Sequence, residues 1–159
     1  RNSWRQGLKF ILEGQSEDGG WYDKEFHPSG VETTAHLAQD SLAASFTLSE
    51  GLPVRPACER ALEWVLNHQA EDGSWDNQNM DHTMDCARST LLLSRLLKAE
   101  EKCRPALEKA FDWIVANKSP EGWPDFPGEK VNLERTCDGL DVLLKFQAWA
   151  LEDSEEVVR

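Results

Sequence analysis

Three stretches of the chain repeat one arrangement of residues able to do chemistry. They read VETTAHLAQDSLAA from residue 31, MDHTMDCARSTLLL from 80 and LERTCDGLDVLLKF from 133. Aligned without gaps, they put Glu32, Asp81 and Glu134 in one register and Thr34, Thr83 and Thr136 in a second. His36, Asp85 and Asp138 share a third. Carboxylic acids so placed can donate a proton, hold a cation, or complement the positive end of a helix dipole. In the middle stretch His82 and Cys86 stand four residues apart with Asp85 beside them, a spacing that lets one helix face offer ligands to a metal, zinc first. A lone cysteine at a helix contact is more often a small buried apolar residue.

The same residues extend into a stripe. Glu134, Asp138, Asp141 and Lys145 fall at i, i+4, i+7 and i+11, one polar face of a helix. His36 with Asp40, and Asp81 with Asp85 and Arg88, continue it on the other two stretches. A face this acidic suits a hydrated cavity, a cation or a polar ligand. A diphosphate there would need compensating cations from Arg88, Arg95 and Arg135, with or without Mg²⁺. Rotated by a third of a turn, the stripe would be solvated surface.

These stretches need elements to hold them, and a repeat supplies them. Trp21, Trp75 and Trp123 mark three turn segments, 54 and 48 residues apart, while the threonines lie 49 and 53 apart. An apolar-periodic stretch precedes each turn: WRQGLKFILEG, ACERALEWVLNH and ALEKAFDWIVAN. The reading is six helices over 2–14, 31–49, 55–68, 81–98, 101–117 and 131–150, paired into hairpin repeats at 2–49, 55–98 and 101–150. Pro53, Pro105 and the stretch from Pro120 to Pro127 are read as breaks in the connections. The turn tryptophans are read as staples that plug the gaps between hairpins. The Gln that opens a turn is read as a cap on the helix before it.

Composition fits one domain, 1–159, of all-α class. The chain has 159 residues, 40% apolar and 29% charged. Its net charge of −12 disfavours nucleic acid and anionic membrane surfaces as partners. Cys58, Cys86, Cys103 and Cys137 form no CxxC pair, which with no secretory leader pattern points to reduced thiols in a cytoplasmic setting. No apolar run is long enough to span a bilayer.

The pattern Gln-x3-Gly-x-Trp after an apolar helix stands at Gln15, Gly19 and Trp21 and again at Gln69, Gly73 and Trp75, with a partial copy ending at Gly122-Trp123. It resembles the QW repeat of squalene and oxidosqualene cyclases, whose wider superfamily includes protein prenyltransferase β subunits and class II diterpene cyclases. The resemblance implies an α/α toroid, with helices 31–49, 81–98 and 131–150 on the inside, and an isoprenoid ligand in the central cavity. Six helices would make a half-sized toroid of three hairpin repeats. Its second half would be missing, or a homodimer would close the ring, or the array would cap itself. Squalene-type cyclases protonate their substrate with a DxDD motif, and Gly30-Val-Glu32-Thr33-Thr34-Ala35 sits in that register. Glu32 holds the proton donor's place, but Gly30 and Thr33 replace the flanking acids, so a self-sufficient cyclase is not expected. The resemblance puts Glu32, Asp85 and Asp138 forward as catalytic. It sets His36, Asp40, Asp81, Arg88, Arg135 and Asp141 around a ligand. By analogy with the prenyltransferases it makes His82, Asp85 and Cys86 candidate metal ligands, for zinc or magnesium, although Arg135 stands close to where that family places a histidine.

Overall fold

The computed structural model describes residues 2–22, 30–48 and 51–156. Six helices carry them: α1 (Asn2–Glu13), α2 (Val31–Leu48), α3 (Val54–Asn67), α4 (Met80–Leu97), α5 (Glu100–Ala116) and α6 (Leu133–Glu156). There is no strand among the described residues. The class is all-α, built as helical hairpins, and the helix boundaries fall close to those the apolar period predicts. The expected end of the second helix at residue 49 lies outside the described residues.

The helices form two layers. α2 packs on α4 and α4 on α6, while α3 lies against both α2 and α4, and α5 against both α4 and α6. α2, α4 and α6, the helices that the resemblance puts inside, make one layer, here the inner, and α3 and α5 the outer. Between the layers the core is a run of small and large apolar groups, including Ala38, Ala61, Met84, Ala87, Leu107 and Ile114. The small residues let helix axes approach, and the large ones fill the remainder.

Each turn is tied down in the same way. The indole N–H groups of Trp21, Trp75 and Trp123 donate to the carbonyls of Ile11, Val65 and Ile114, at 2.6, 2.9 and 2.8 Å. Their backbone N–H groups donate to the hydroxyls of Thr34, Thr83 and Thr136, at 3.0, 3.0 and 3.1 Å. All three rings are buried. A tryptophan in a polar turn is thus a bolt between the two helices of its own hairpin, and the threonine register exists to hold its backbone.

The glutamines act differently from the expected cap. Gln15 Nε2 donates to Gly19 O at 2.9 Å and to Ala57 O at 2.8 Å. Gln69 Nε2 repeats this with Gly73 O at 3.0 Å and Ala106 O at 2.8 Å. Each therefore bridges its own turn to the outer helix of the next hairpin, because the amide is long enough to cross the small Ala57 or Ala106. Gly73 makes that approach possible: its φ is +96°, and a Cβ there would stand 2.3 Å from the Lys109 carbonyl oxygen. Pro105 departs from its expected place in a connection. It lies inside α5, near enough to the N-terminus that the missing N–H costs one bond while the helix continues.

Candidate functional site

Caps and one bent segment set the charged residues in place. The Asn79 side chain accepts the His82 N–H at 3.1 Å, and Asn132 accepts the Glu134 N–H at 2.8 Å, so α4 and α6 begin in the same register. After Trp75 the chain runs through Asp76, Asn77 and Gln78 with φ of 48°, 56° and 66°. Three successive left-handed residues without glycine are costly, on the order of 1–3 kcal/mol each, although Asp and Asn suit that region best. The bend brings the Asp76 carboxylate to 2.5 Å from His82 Nδ1.

From His82 a chain of charges crosses the inner face. His82 Nε2 lies 3.0 Å from Glu32 Oε2, joining α4 to α2. His36 answers from α2, with Nε2 3.3 Å from Asp85 Oδ2 and Nδ1 3.8 Å from Glu32 Oε1. Arg88 pairs with Asp85 and reaches across to α6, 3.4 Å from Asp141 and 4.0 Å from Asp138. Lys145 closes on Asp141 at 2.6 Å. Arg135 is buried and pairs with Asp81, with Asp138 at 2.9 Å, Glu134 at 3.2 Å and Asp125 at 3.4 Å. The register residues His36, Asp85 and Asp138 are therefore linked in sequence through Arg88, and no single point is shared by all three.

Carboxylates outnumber the cations in this network, so the face is acidic. Asp85 is the buried one, and desolvation pushes its carboxyl above the usual range even though Arg88 and His36 pull the other way. Glu32, His36 and Asp85 each offer a ligand atom, and the three atoms lie within 4.8 Å of one another. Cys86 is fully buried in the core, where desolvation raises its thiol well above the ordinary value. Of the three metal candidates, His82 and Asp85 stand in the charged network and Cys86 among apolar side chains. Asp40 is exposed, one turn beyond His36.

Beside the network a recess of about 200 Å³ opens between α4 and α6. Leu91, Leu92 and Ala148 line it together with Arg88, Arg95 and Lys145, giving a small apolar floor with cationic edges. The aromatic side chains lie elsewhere. Phe146 stacks on Phe111 of α5 with centroids 4.8 Å apart, and Trp149 meets Phe146 edge-on at 5.3 Å. Both belong to an outer groove of about 740 Å³ between α5 and α6.

Sequence reasoning missed the residues that the turns contribute. Asp76 and Asp125 come from the segments after Trp75 and Trp123, and they complete the surroundings of His82 and Arg135. An acid within two positions of each of these tryptophans was the available signal.

No protein family model matches the chain. A stretch of 67 residues, 42% of this chain, is 34% identical to terpentedienyl-diphosphate synthase from Kitasatospora griseola. The stretch spans 13% of that enzyme, so the similarity is partial and links the chain to a terpene synthase over fewer than half of its own residues.

Proposed function

We propose that this chain is a terpenoid-cyclase- or prenyltransferase-like module that handles an isoprenoid ligand on its inner face and does not cyclise it unaided. The observation that supports this is the pairing of an acidic network with a cation-edged apolar recess, on the helices that a QW-repeat toroid would have inside. Arg88, Arg95 and Lys145 suit an anionic head group, and Leu91, Leu92 and Ala148 suit the first isoprene carbons. Glu32, His36 and Asp85 are placed to hold a divalent cation between that head group and the protein, magnesium before zinc, since two of the three ligands are carboxylates. A recess of about 200 Å³ is smaller than the ~300–1,000 Å³ of a complete ligand pocket, so the rest of the cavity must come from elsewhere. Without a bound cation, Asp85, buried and with a raised carboxyl, is the acid best fitted to carry a proton; a cation at this site would hold it ionised.

Calorimetric titration with geranylgeranyl diphosphate in the presence of Mg²⁺ tests this reading. Saturable binding that Lys145→Glu weakens at least tenfold supports it. Equal binding of inorganic diphosphate would remove the isoprenoid, and no binding of either would remove the site. The second reading is a non-catalytic repeat module for protein–protein contact or oligomerisation. It is favoured by the aromatics of α6: Phe146 and Trp149 turn toward α5, so neither offers a π-face to a cation on the inner side.

A further inference from the structure

The register that places the charged residues also shows what each end of the array lacks. In α2 the row Val31, Ala35, Ala38 and Leu42 is buried, and so is its equivalent in α4, Met80, Met84, Ala87 and Leu91. In both cases the outer helix of the next hairpin packs on that inner helix, as where the Cys58 thiol of α3 donates to Ala38 O at 3.3 Å. In α6 the same row reads Leu133, Cys137, Leu140 and Leu144, and all four are exposed, the leucines by 87, 53 and 66%. The opposite edge shows the converse. α3 buries Cys58, Ala61 and Trp64, and α5 buries Leu107, Ala110 and Trp113. The equivalents in α1, counted back from Trp21 against Trp75, are Trp4, Gly7 and Phe10. Trp4 and Phe10 are 72 and 78% exposed, and a Cβ on Gly7 would meet nothing within 4 Å.

Each edge is thus one half of a joint that the chain already makes twice: α1 is the outer-helix half and α6 the inner-helix half. We propose that a second copy of this chain completes both, α1 of each copy packing on α6 of the other, so that two copies close into one ring of six hairpins. Apolar rows of this size are costly to leave wet, and a head-to-tail contact made twice leaves neither copy with an open edge.

A second observation singles out this pairing. Inside the chain, polar groups face each other across each joint: Gln69 donates to Ala106 O, and the Trp113 indole stands near enough to Asp72, as Trp64 does to Asp18, to help hold that carboxyl down. At the open edges the side-chain members of these pairs are absent together. Lys118 stands in the place of the glutamine, and its ammonium lies over the Trp123 ring instead. The third turn, Ser119-Pro120-Glu121-Gly122, lacks the aspartate, and α1 carries Phe10, without an N–H, where the other outer helices carry tryptophan. What remains is apolar against apolar. Trp4 with Leu140 is bulkier than Cys58 with Ala38, so this joint seats its helices further apart than α2 and α3. The proposal stands apart from the isoprenoid reading, since a mass measurement needs no ligand.

Light scattering on the 159-residue chain after gel filtration, at tens of micromolar, should give twice its 18.0 kDa. Phe10→Glu and Leu140→Glu alter exposed side chains, so each variant should keep its helicity and run as a monomer. Because one variant spoils α1 and the other α6, an equimolar mixture retains one sound joint and should recover dimer that neither variant forms alone. A monomeric wild type overturns the proposal. So does an open series of higher oligomers, which would mean that two copies do not close. Dimer loss in Leu140→Glu but not in Phe10→Glu would show an α6–α6 contact and overturn the head-to-tail pairing.

Discussion

The turns and the inner face use the same repeat for opposite ends. At the turns the Gln amide, the Trp indole and the Trp backbone N–H each have a fixed partner and the Trp rings are buried, so copies one and two superimpose bond for bond: Gln to Ala, Trp to carbonyl, Trp to Thr. On the inner face one register position holds His36, Asp85 and Asp138 in turn, and each makes different ion pairs. Structural constraint repeats identically because each joint must solve the same packing problem. The charged residues vary because each inner helix meets different neighbours there.

The sharpest way to break this contrast is to cut a bolt. Trp75→Ala removes a fully buried ring and the indole bond to Val65, and should destabilise the chain by about 3–5 kcal/mol in urea unfolding. An unchanged midpoint would end the staple reading. The exposed Phe10 of α1, changed to Ala, should move the midpoint little, since 78% of its surface is already open to solvent. Next in size is Gly73→Ala. It puts a side chain on a left-handed residue and drives a Cβ into the Lys109 backbone, a loss of at least about 2 kcal/mol. A smaller loss would mean that the second and third hairpins separate easily, and the joint would then be softer than its hydrogen bonds suggest.

How much of this could be read from the sequence follows the same division. The helices, their pairing and the burial of the tryptophans were legible because apolar period and turn chemistry are local. The reach of Gln69 to Ala106 was not, since it connects residues 37 apart and needs the curvature of the array. The repeated Arg-Pro-Ala at 55–57 and 104–106 was its only trace. On the inner face the stripe itself was legible, and the pairing of His36 with Asp85 followed from shared register. The burial of Arg135 was not legible, because it depends on Asp125 arriving from a loop. Cys86 shows the limit of spacing arguments: four residues from His82 is one face on a helical wheel, yet its thiol lies in the core.

The finest test of the contrast is a sign, read from two aspartates. In the second turn, the Ser74 side chain leads a set of hydrogen bonds that hold the Asp72 carboxyl below its usual value. On the inner face, burial holds Asp85 above it. When the folded value is lowered, the unfolded chain binds the proton more readily as pH falls, so Asp72 stabilises the fold above its ordinary value of about 3.9 and loses that contribution on acidification. When it is raised, the folded chain takes the proton first. Asp85 therefore costs stability when ionised, and acidification from its folded value toward about 3.9 relieves that cost. Unfolding midpoints of Asp72→Asn and Asp85→Asn, each subtracted from wild type across this acid range, should slope in opposite directions. Parallel slopes would mean that Arg88 outweighs burial at Asp85, and the inner face would then be a structural ion-pair lattice like the turns, without an acid held in reserve.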